Sequence, residues 1–424
     1  MKQDVLPRLF GEPDVVGQLS LATHEHRYGP LPDLTPDEFA DRVEAAGLTG
    51  RGGAAFPTHR KLRTVGASRS AVVVGNGAEG EPASSKDALL LTLSPQLVLD
   101  GLVLASAAVG ADRVHLYLEE GSPALDSVRD ALAQRAQRRP GELAVRLVET
   151  PARFLSGEES AVVNRVNGGA AIPRAVPPRV FEKGVGGRPT LVQNVETLAH
   201  LALIARYGPE WFRAVGTERE PGSALFTLGG AVHHPGVTEA ALGTRVPDLL
   251  ASAGGPTEAL QAVLFGGYHG AWLTEAEAVS ARLTNADLRP KGASLGAGVV
   301  VAFPASACGV AETARVMRYL AAESAGQCGP CAFGLPAIAE ALAELAGPGQ
   351  STGQRRLLER WSGMVENRGA CHHPDGAMRF LRSSLRVFAG EFELHAVGRC
   401  TARSTVPVLP LPSSARGLRV AGVR

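Results

Sequence analysis

Between residues 70 and 150 strand-like and helix-like runs alternate, and no other feature restricts the fold of the chain as strongly. SAVVVGNGAEGEP, Ser70 to Pro82, opens with an apolar run and ends in a polar, glycine-rich loop, the pattern of a buried strand. SPQLVLDGLVLASAAVG has helical apolar spacing, and DRVHLYLEE is again a strand. SPALDSVRDALAQRAQ is an amphipathic helix and LAVRLVET a third strand. Strands and helices in this order argue for a parallel α/β layer.

At 424 residues the chain exceeds one ordinary core, so two to four domains are expected. Residues 1–34 read as an irregular arm and 35–215 as the α/β domain. That domain opens with a helix over TPDEFADRVEAA, where Thr35 is a good N-cap followed by acidic residues. Around residue 220 the pattern changes. SALFTLGGAVHHPGV suggests two strands joined by a Pro-Gly turn, within a small α+β module over 216–305. Across 306–395 the segments ETARVMRYLAAES, LPAIAEALAELA, QRRLLERWSGMVE and GAMRFLRSSLRVFAGEFELH suggest a bundle of four helices. The Pro-rich remainder, 396–424, reads as an irregular tail.

A net charge of +1 leaves no electrostatic footprint for nucleic acid or an anionic membrane. The longest apolar runs are broken by Gly, Pro or Asp before they reach the length of a bilayer span. MKQDVLPRLFGEPD lacks the apolar core of a secretory signal, which favours the cytoplasm or the cytoplasmic face of a membrane complex. Five cysteines in a chain this long do not make a disulfide framework. Cys328 and Cys331 form a C-x-x-C turn in ESAGQCGPCAFG, and Cys371 follows in RGACHHPD, a context that suits a metal or cluster. Cys308, in apolar PASACGVAETA, reads as a buried core thiol, while Cys400 in the tail could be either.

Four polar motifs punctuate the α/β domain. GRGGAAFPTHRK carries Gly50, Gly52 and Gly53, which would let backbone N–H groups approach a phosphate or ring, and Lys61, which could neutralise a phosphate. NGAEGEP places Asn76, Glu79 and Glu81 just beyond a strand, where α/β sheets bind ligands. SGEESAVVN and GRPTLVQNVETLAHL add Gly157, Glu158, Glu159, Gln193 and Asn194 near helix starts. Taken singly, each also reads as an ordinary solvated turn or capped helix start. HHPG, His233 to Gly236, reads as a turn with solvated imidazoles.

Together, and in this order, GRGGAxFPT with its lysine, N-x-x-EGEP, GEES and PT-x-x-x-NVETLA resemble the NADH-oxidising flavoprotein subunit of respiratory complex I. The same module occurs in NAD-linked hydrogenases and formate dehydrogenases. The resemblance covers about residues 45–395. It implies a Rossmann-like FMN-binding domain, a β-grasp (SLBB) module, and a helical bundle carrying a [4Fe–4S] cluster. The implied chemistry is hydride transfer from NADH to FMN, then release of single electrons through the cluster. By motif match Gly52, Gly53, Lys61, Asn76, Glu79, Gly157, Glu158, Glu159 and Asn194 are the expected flavin-cradling positions. Phe56 is one adenine wall, and Glu81 the glutamate near the adenine ribose, which would favour NADH over NADPH. Glu81 and Glu159 are the expected catalytic carboxylates.

Some positions depart from the family pattern. Ala78 replaces an Asp, Gln193 an Asn, and Phe154 a Tyr, all tolerable for FMN. On the dinucleotide side Thr64 replaces an aromatic residue, Val176 a Lys and Arg179 a Phe. Stacking is worth about 1–3 kcal/mol per base, so two lost walls would weaken NADH binding, and Arg179 could stack instead. In the cluster motif Ala325 stands where the first cysteine is expected. Cys328, Cys331 and Cys371 match the other three, so the expected cluster has a non-cysteine fourth ligand. Ser324, His372, His373 or Cys400 could complete it, and zinc with His372 or His373 is the alternative. The expected partner is a ferredoxin-like or membrane-associated redox subunit. A different electron donor, or a scaffold with vestigial sites, stays open.

Overall fold

The computed structural model describes residues 6–10, 17–68, 70–174, 177–350 and 353–412. Its first sheet contains β1 (Ala71–Asn76), β2 (Ala111–Glu119), β3 (Val145–Thr150) and β4 (Thr190–Asn194). They pair in parallel in the order β3-β2-β1-β4. Val72, Val73 and Val74 are wholly buried because helices cover both faces, which is why β1 reads as a continuous apolar run. The chain leaves β1 towards β2 on one side and returns from β3 to β4 on the other. The carboxyl ends of β1 and β4 therefore flank a topological switch point, the crevice where such sheets bind ligands. Asn76 and Asn194 are register partners there.

Two helices join β1 to β2 where the sequence suggests one. Lys86–Leu93 ends at Ser94, and Pro95–Val109 starts 96° away, since Pro95 removes the N–H that continuation would need. Among the described residues no single helix is long and apolar enough to cross a membrane. The arm is also more ordered than its sequence suggests. Ser20 caps a helix at Leu21–Tyr28, and buried Leu9, Phe10 and Leu19 pack against the α/β core.

The second sheet orders its strands β6-β5-β9-β7-β8. These are β5 (Ser223–Gly230), β6 (Gly236–Ala241), β7 (Leu260–Phe265), β8 (Ala271–Thr274) and β9 (Val299–Pro304). β5 and β6 form the expected hairpin, with His233 and His234 exposed in its turn. β9 runs parallel to β5 and antiparallel to β7. One face of this β-grasp-like sheet shares a core with the helices Gly309–Ala322, Leu335–Ala346, Gln354–Val365 and His373–Val387. The last predicted helix is in fact two. Phe388 leaves helical geometry to enter an aromatic cluster with Trp272 and Phe303, at 5.3 and 5.4 Å, and Ala389–Ala396 follows.

Candidate functional site

The crevice at the switch point opens into a cleft of about 720 Å³. Nine of the thirteen sequence-predicted binding residues line it: Gly52, Gly53, Asn76, Glu79, Glu81, Phe154, Gly157, Glu158 and Asn194. Each polar member is held by local structure. Asn76 donates from Nδ2 to the Gly157 carbonyl at 2.9 Å, tying the end of β1 to the SGEES loop. Asn194 caps its helix through the Glu196 N–H and donates to Asp87 at 2.6 Å. Glu158 caps its own helix by accepting the N–H groups of Ser160 and Ala161. Glu79 accepts the Ser84 hydroxyl at 2.5 Å and the N–H groups of Asp87 and Ala88.

Glu81 crosses to the second sheet. Its carboxylate accepts the Tyr268 N–H at 2.7 Å and the Ala83 N–H at 3.2 Å. Gly267 makes that approach possible: its φ is +85°, and a Cβ there would sit well inside contact distance of the carboxylate. Burial, reinforced by the charge of Glu79, pushes Glu81 up to about 8 against the two N–H donors.

The other four predicted residues are not in the cleft lining. Gln193 precedes Asn194 in β4, so its side chain points to the opposite face, where it is buried with Nε2 unpartnered. Lys61 bonds Glu159 at 3.0 Å and the Val192 carbonyl at 3.3 Å, so the two residues neutralise one another outside the cleft. Phe56 is 46% exposed, an unusual setting for a large aromatic side chain. Thr64 and Arg179 are exposed as well, and Val176 lies outside the described residues.

Several lining residues carried no signal in the sequence. Lys86 forms buried ion pairs with Asp87 at 2.7 Å and Glu196 at 2.8 Å, giving the cleft a fixed cation. His269, Arg289 and Gly296 arrive from the β-grasp-like module, and His372, His373 and Arg379 from the bundle. Phe154 packs edge-on against His269, ring centroids 4.5 Å apart, between these units.

Beyond Phe154, Cys328, Cys331 and Cys371 line a small cavity with Pro173, Arg174, Ala325, Gln327 and Ala370. Cys331 sits in a widened turn, Pro330–Gly334, whose last bond runs from Leu335 N–H back to the Pro330 carbonyl. Burial and the neighbouring Cys328 sulfur push Cys331 up to about 12. Burial opposes ionisation of Cys328, but N–H groups of Ala370 and Cys331 outweigh it and hold that thiol low. Three sulfurs facing one cavity, one of them already held by N–H donors, are a thiolate donor set suited to a cluster. Ala325 faces the same cavity with no donor. Two of the suggested fourth ligands are committed elsewhere. Both nitrogens of His373 have partners, Leu320 O at 2.8 Å and His269 at 3.0 Å, and Cys400 lies near Cys308 instead.

Family models match three stretches: the Nuo51 FMN-binding domain over residues 43–203, the SLBB domain over 225–267, and the NADH-ubiquinone oxidoreductase-F iron-sulfur binding region over 311–395. The second F-type subunit of the NADH-quinone oxidoreductase of Rhizobium meliloti (strain 1021) is 32% identical, over 93% of this chain and 98% of its own. The chain belongs to the family of NADH-quinone oxidoreductase F subunits. The F subunit of Streptomyces coelicolor is also 32% identical, over 86% of this chain and 84% of its own. Among solved structures, an NAD+-reducing [NiFe]-hydrogenase in the H2-reduced state superposes with a TM-score of 0.79 at 30% identity. That likeness covers 86% of this chain and 63% of the hydrogenase chain, so this chain spans less than two thirds of it. Within the F-subunit family, the three matched stretches coincide with the parallel sheet, the β-grasp-like sheet and the thiol-bearing helices described above.

Proposed function

We propose that the chain is an electron-input flavoprotein subunit, which takes hydride from NADH onto FMN and passes single electrons through an iron–sulfur cluster to a ferredoxin-like or quinone-linked partner. One observation carries this reading: Cys371 lines both the cleft and the thiol cavity, so the two sites share a wall. The cleft suits a flavin in size. Its rim suits one too, because a Cβ on Gly52 would lie 3.2 Å from that of Asn194, and glycine leaves the space open. Domain limits of 35–215, 216–305 and 306–395 follow the same division of labour, and cytoplasmic placement belongs to the same proposal.

Bound FMN would supply hydride acceptance and one-electron release, and a bound cluster one-electron conduction. Gly52, Gly53, Asn76, Glu79, Gly157, Glu158 and Asn194 would hold the flavin, and Cys328, Cys331 and Cys371 the cluster. The ion pairs of Lys86 with Asp87 and Glu196 hold Asp87 as the acceptor that orients the Asn194 amide. Glu81 clamps the NGAEGEP loop to the backbone at Tyr268 and so fixes the mouth of the cleft. Phe154 and His269 close the side towards the bundle against water. Phe56 offers an open stacking face for adenine.

Anaerobic titration with NADH, followed by optical and EPR spectroscopy, tests the proposal. Flavin bleaching together with a cluster signal is expected. Featureless spectra after flavin and iron–sulfide reconstitution would sink it, and bleaching by dithionite but not by NADH would point to another donor.

A further inference from the structure

We propose that Cys308, Glu391, His395 and Cys400 form a zinc site that fastens the C-terminal tail to the helical bundle. One donor atom from each lies within 4.8 Å of every other. Cys308 Sγ is 3.3 Å from His395 Nε2, which is 3.4 Å from Glu391 Oε1. Distances of that size are the edges of a tetrahedron with metal–ligand bonds of about 2.0–2.3 Å, so an ion needs only small movements of the remaining pairs.

The surrounding bonds aim these donors at one point. Nδ1 of His395 donates to the Leu345 carbonyl at 3.1 Å, which leaves the lone pair of Nε2 facing the Cys308 thiol. The Glu391 carboxylate accepts the N–H and the hydroxyl of Thr401 at 3.0 and 2.5 Å. Cys308 accepts the N–H of Ala311 at 3.3 Å, and Cys400 that of Ala402 at 3.4 Å. Two sulfurs, one imidazole and one carboxylate form a set that favours zinc over magnesium or calcium.

This group is separate from the cluster cavity. Cys308 caps the start of Gly309–Ala322, a helix of 14 residues, and Cys328 follows its far end, about 21 Å of helix away. Glu391 and His395, four residues apart, share one face of Ala389–Ala396, and Cys400 lies just beyond that helix. The tail then turns back, with the N–H groups of Arg403 and Ser404 on the Ser306 carbonyl at 2.8 and 2.9 Å. Ser404 and Val406 onwards wall a second cleft of about 990 Å³, bounded on its other side by Glu79 and Glu119. The ion would pin the start of the segment that walls this cleft, whatever the donor of electrons proves to be.

The test uses the full chain, kept reduced, loaded with zinc and freed of excess metal. About one tightly held zinc per chain is expected. It should be lost in the double variant Cys308→Ser, Cys400→Ser and kept in Cys328→Ser, Cys331→Ser. Cobalt in place of zinc should give the visible bands of a tetrahedral thiolate site in the wild type and not in the first variant. An unchanged circular dichroism spectrum would show that this variant is folded. Chelation should also speed tryptic cleavage after exposed Arg399 and Arg403 several-fold. Zinc absent from the wild type, retained in the first variant, or following Cys328 and Cys331 instead would overturn the proposal. So would a Cys308–Cys400 disulfide in the reduced, zinc-loaded protein.

Discussion

His269 and His373 hydrogen-bond across the join between the β-grasp-like module and the helical bundle, 3.0 Å from Nε2 to Nδ1. Nε2 of His373 faces the Leu320 carbonyl at 2.8 Å and must donate to it, so Nδ1 accepts and His269 donates. Gly376 leaves room for this contact, because a Cβ there would collide with the His269 ring. Replacing His269 by leucine leaves a buried acceptor unpaired on His373, which should cost about 1–3 kcal/mol. Urea unfolding of His269→Leu against the wild type measures it.

Glu81 makes stability depend on pH. Its folded value is about 8 against an ordinary 4.5, so the folded chain holds a proton that the unfolded chain has released. The resulting stabilisation is complete below the ordinary value and disappears as pH rises through about 8. Glu119, pushed up to about 7 by burial and by Glu79, acts in the same sense. The wild type should therefore lose more stability than Glu81→Gln between pH 6 and pH 9. Midpoint denaturant concentrations across that range check the difference, and parallel curves would refute it.

Phe56 is the remaining aromatic face on the proposed adenine side. Removing a stacking partner worth about 1–3 kcal/mol should raise the Kd for NADH roughly five- to a hundred-fold in Phe56→Ala. Thr64→Phe or Arg179→Phe should lower it. Equilibrium titration under anaerobic conditions reads all three, and a Kd insensitive to Phe56→Ala would place adenine elsewhere.

Ala325 faces the cavity that holds Cys328, Cys331 and Cys371. A thiol at that position would give a four-iron cluster its fourth thiolate. Ala325→Cys should therefore raise iron and acid-labile sulfide per chain after reconstitution, and slow their loss in air. Unchanged iron content and spectrum would count against a cluster in this cavity.

Local patterns in the chain were enough for much of this. Uninterrupted valines mark β1 and 3.6-residue periodicity marks the helices, because each depends on neighbours a few residues away. The motifs around Asn76, Glu79, Glu158 and Asn194, and the three thiols, are legible for the same reason. Tertiary structure decided the rest. Gln193 and Asn194 look equivalent in sequence, yet strand alternation turns one into the core and the other into the cleft. Lys61 and Glu159 are 98 positions apart and pair with each other, which no local pattern records. His269, Arg379 and Lys86 join the cleft only because β4 returns beside β1 and the later units pack across its mouth. Cys308 and Cys400 looked unrelated until the helix between Ala389 and Ala396 brought the tail back over the start of the bundle. Proximity across such separations is set by packing of whole faces, and packing is a property of the folded chain.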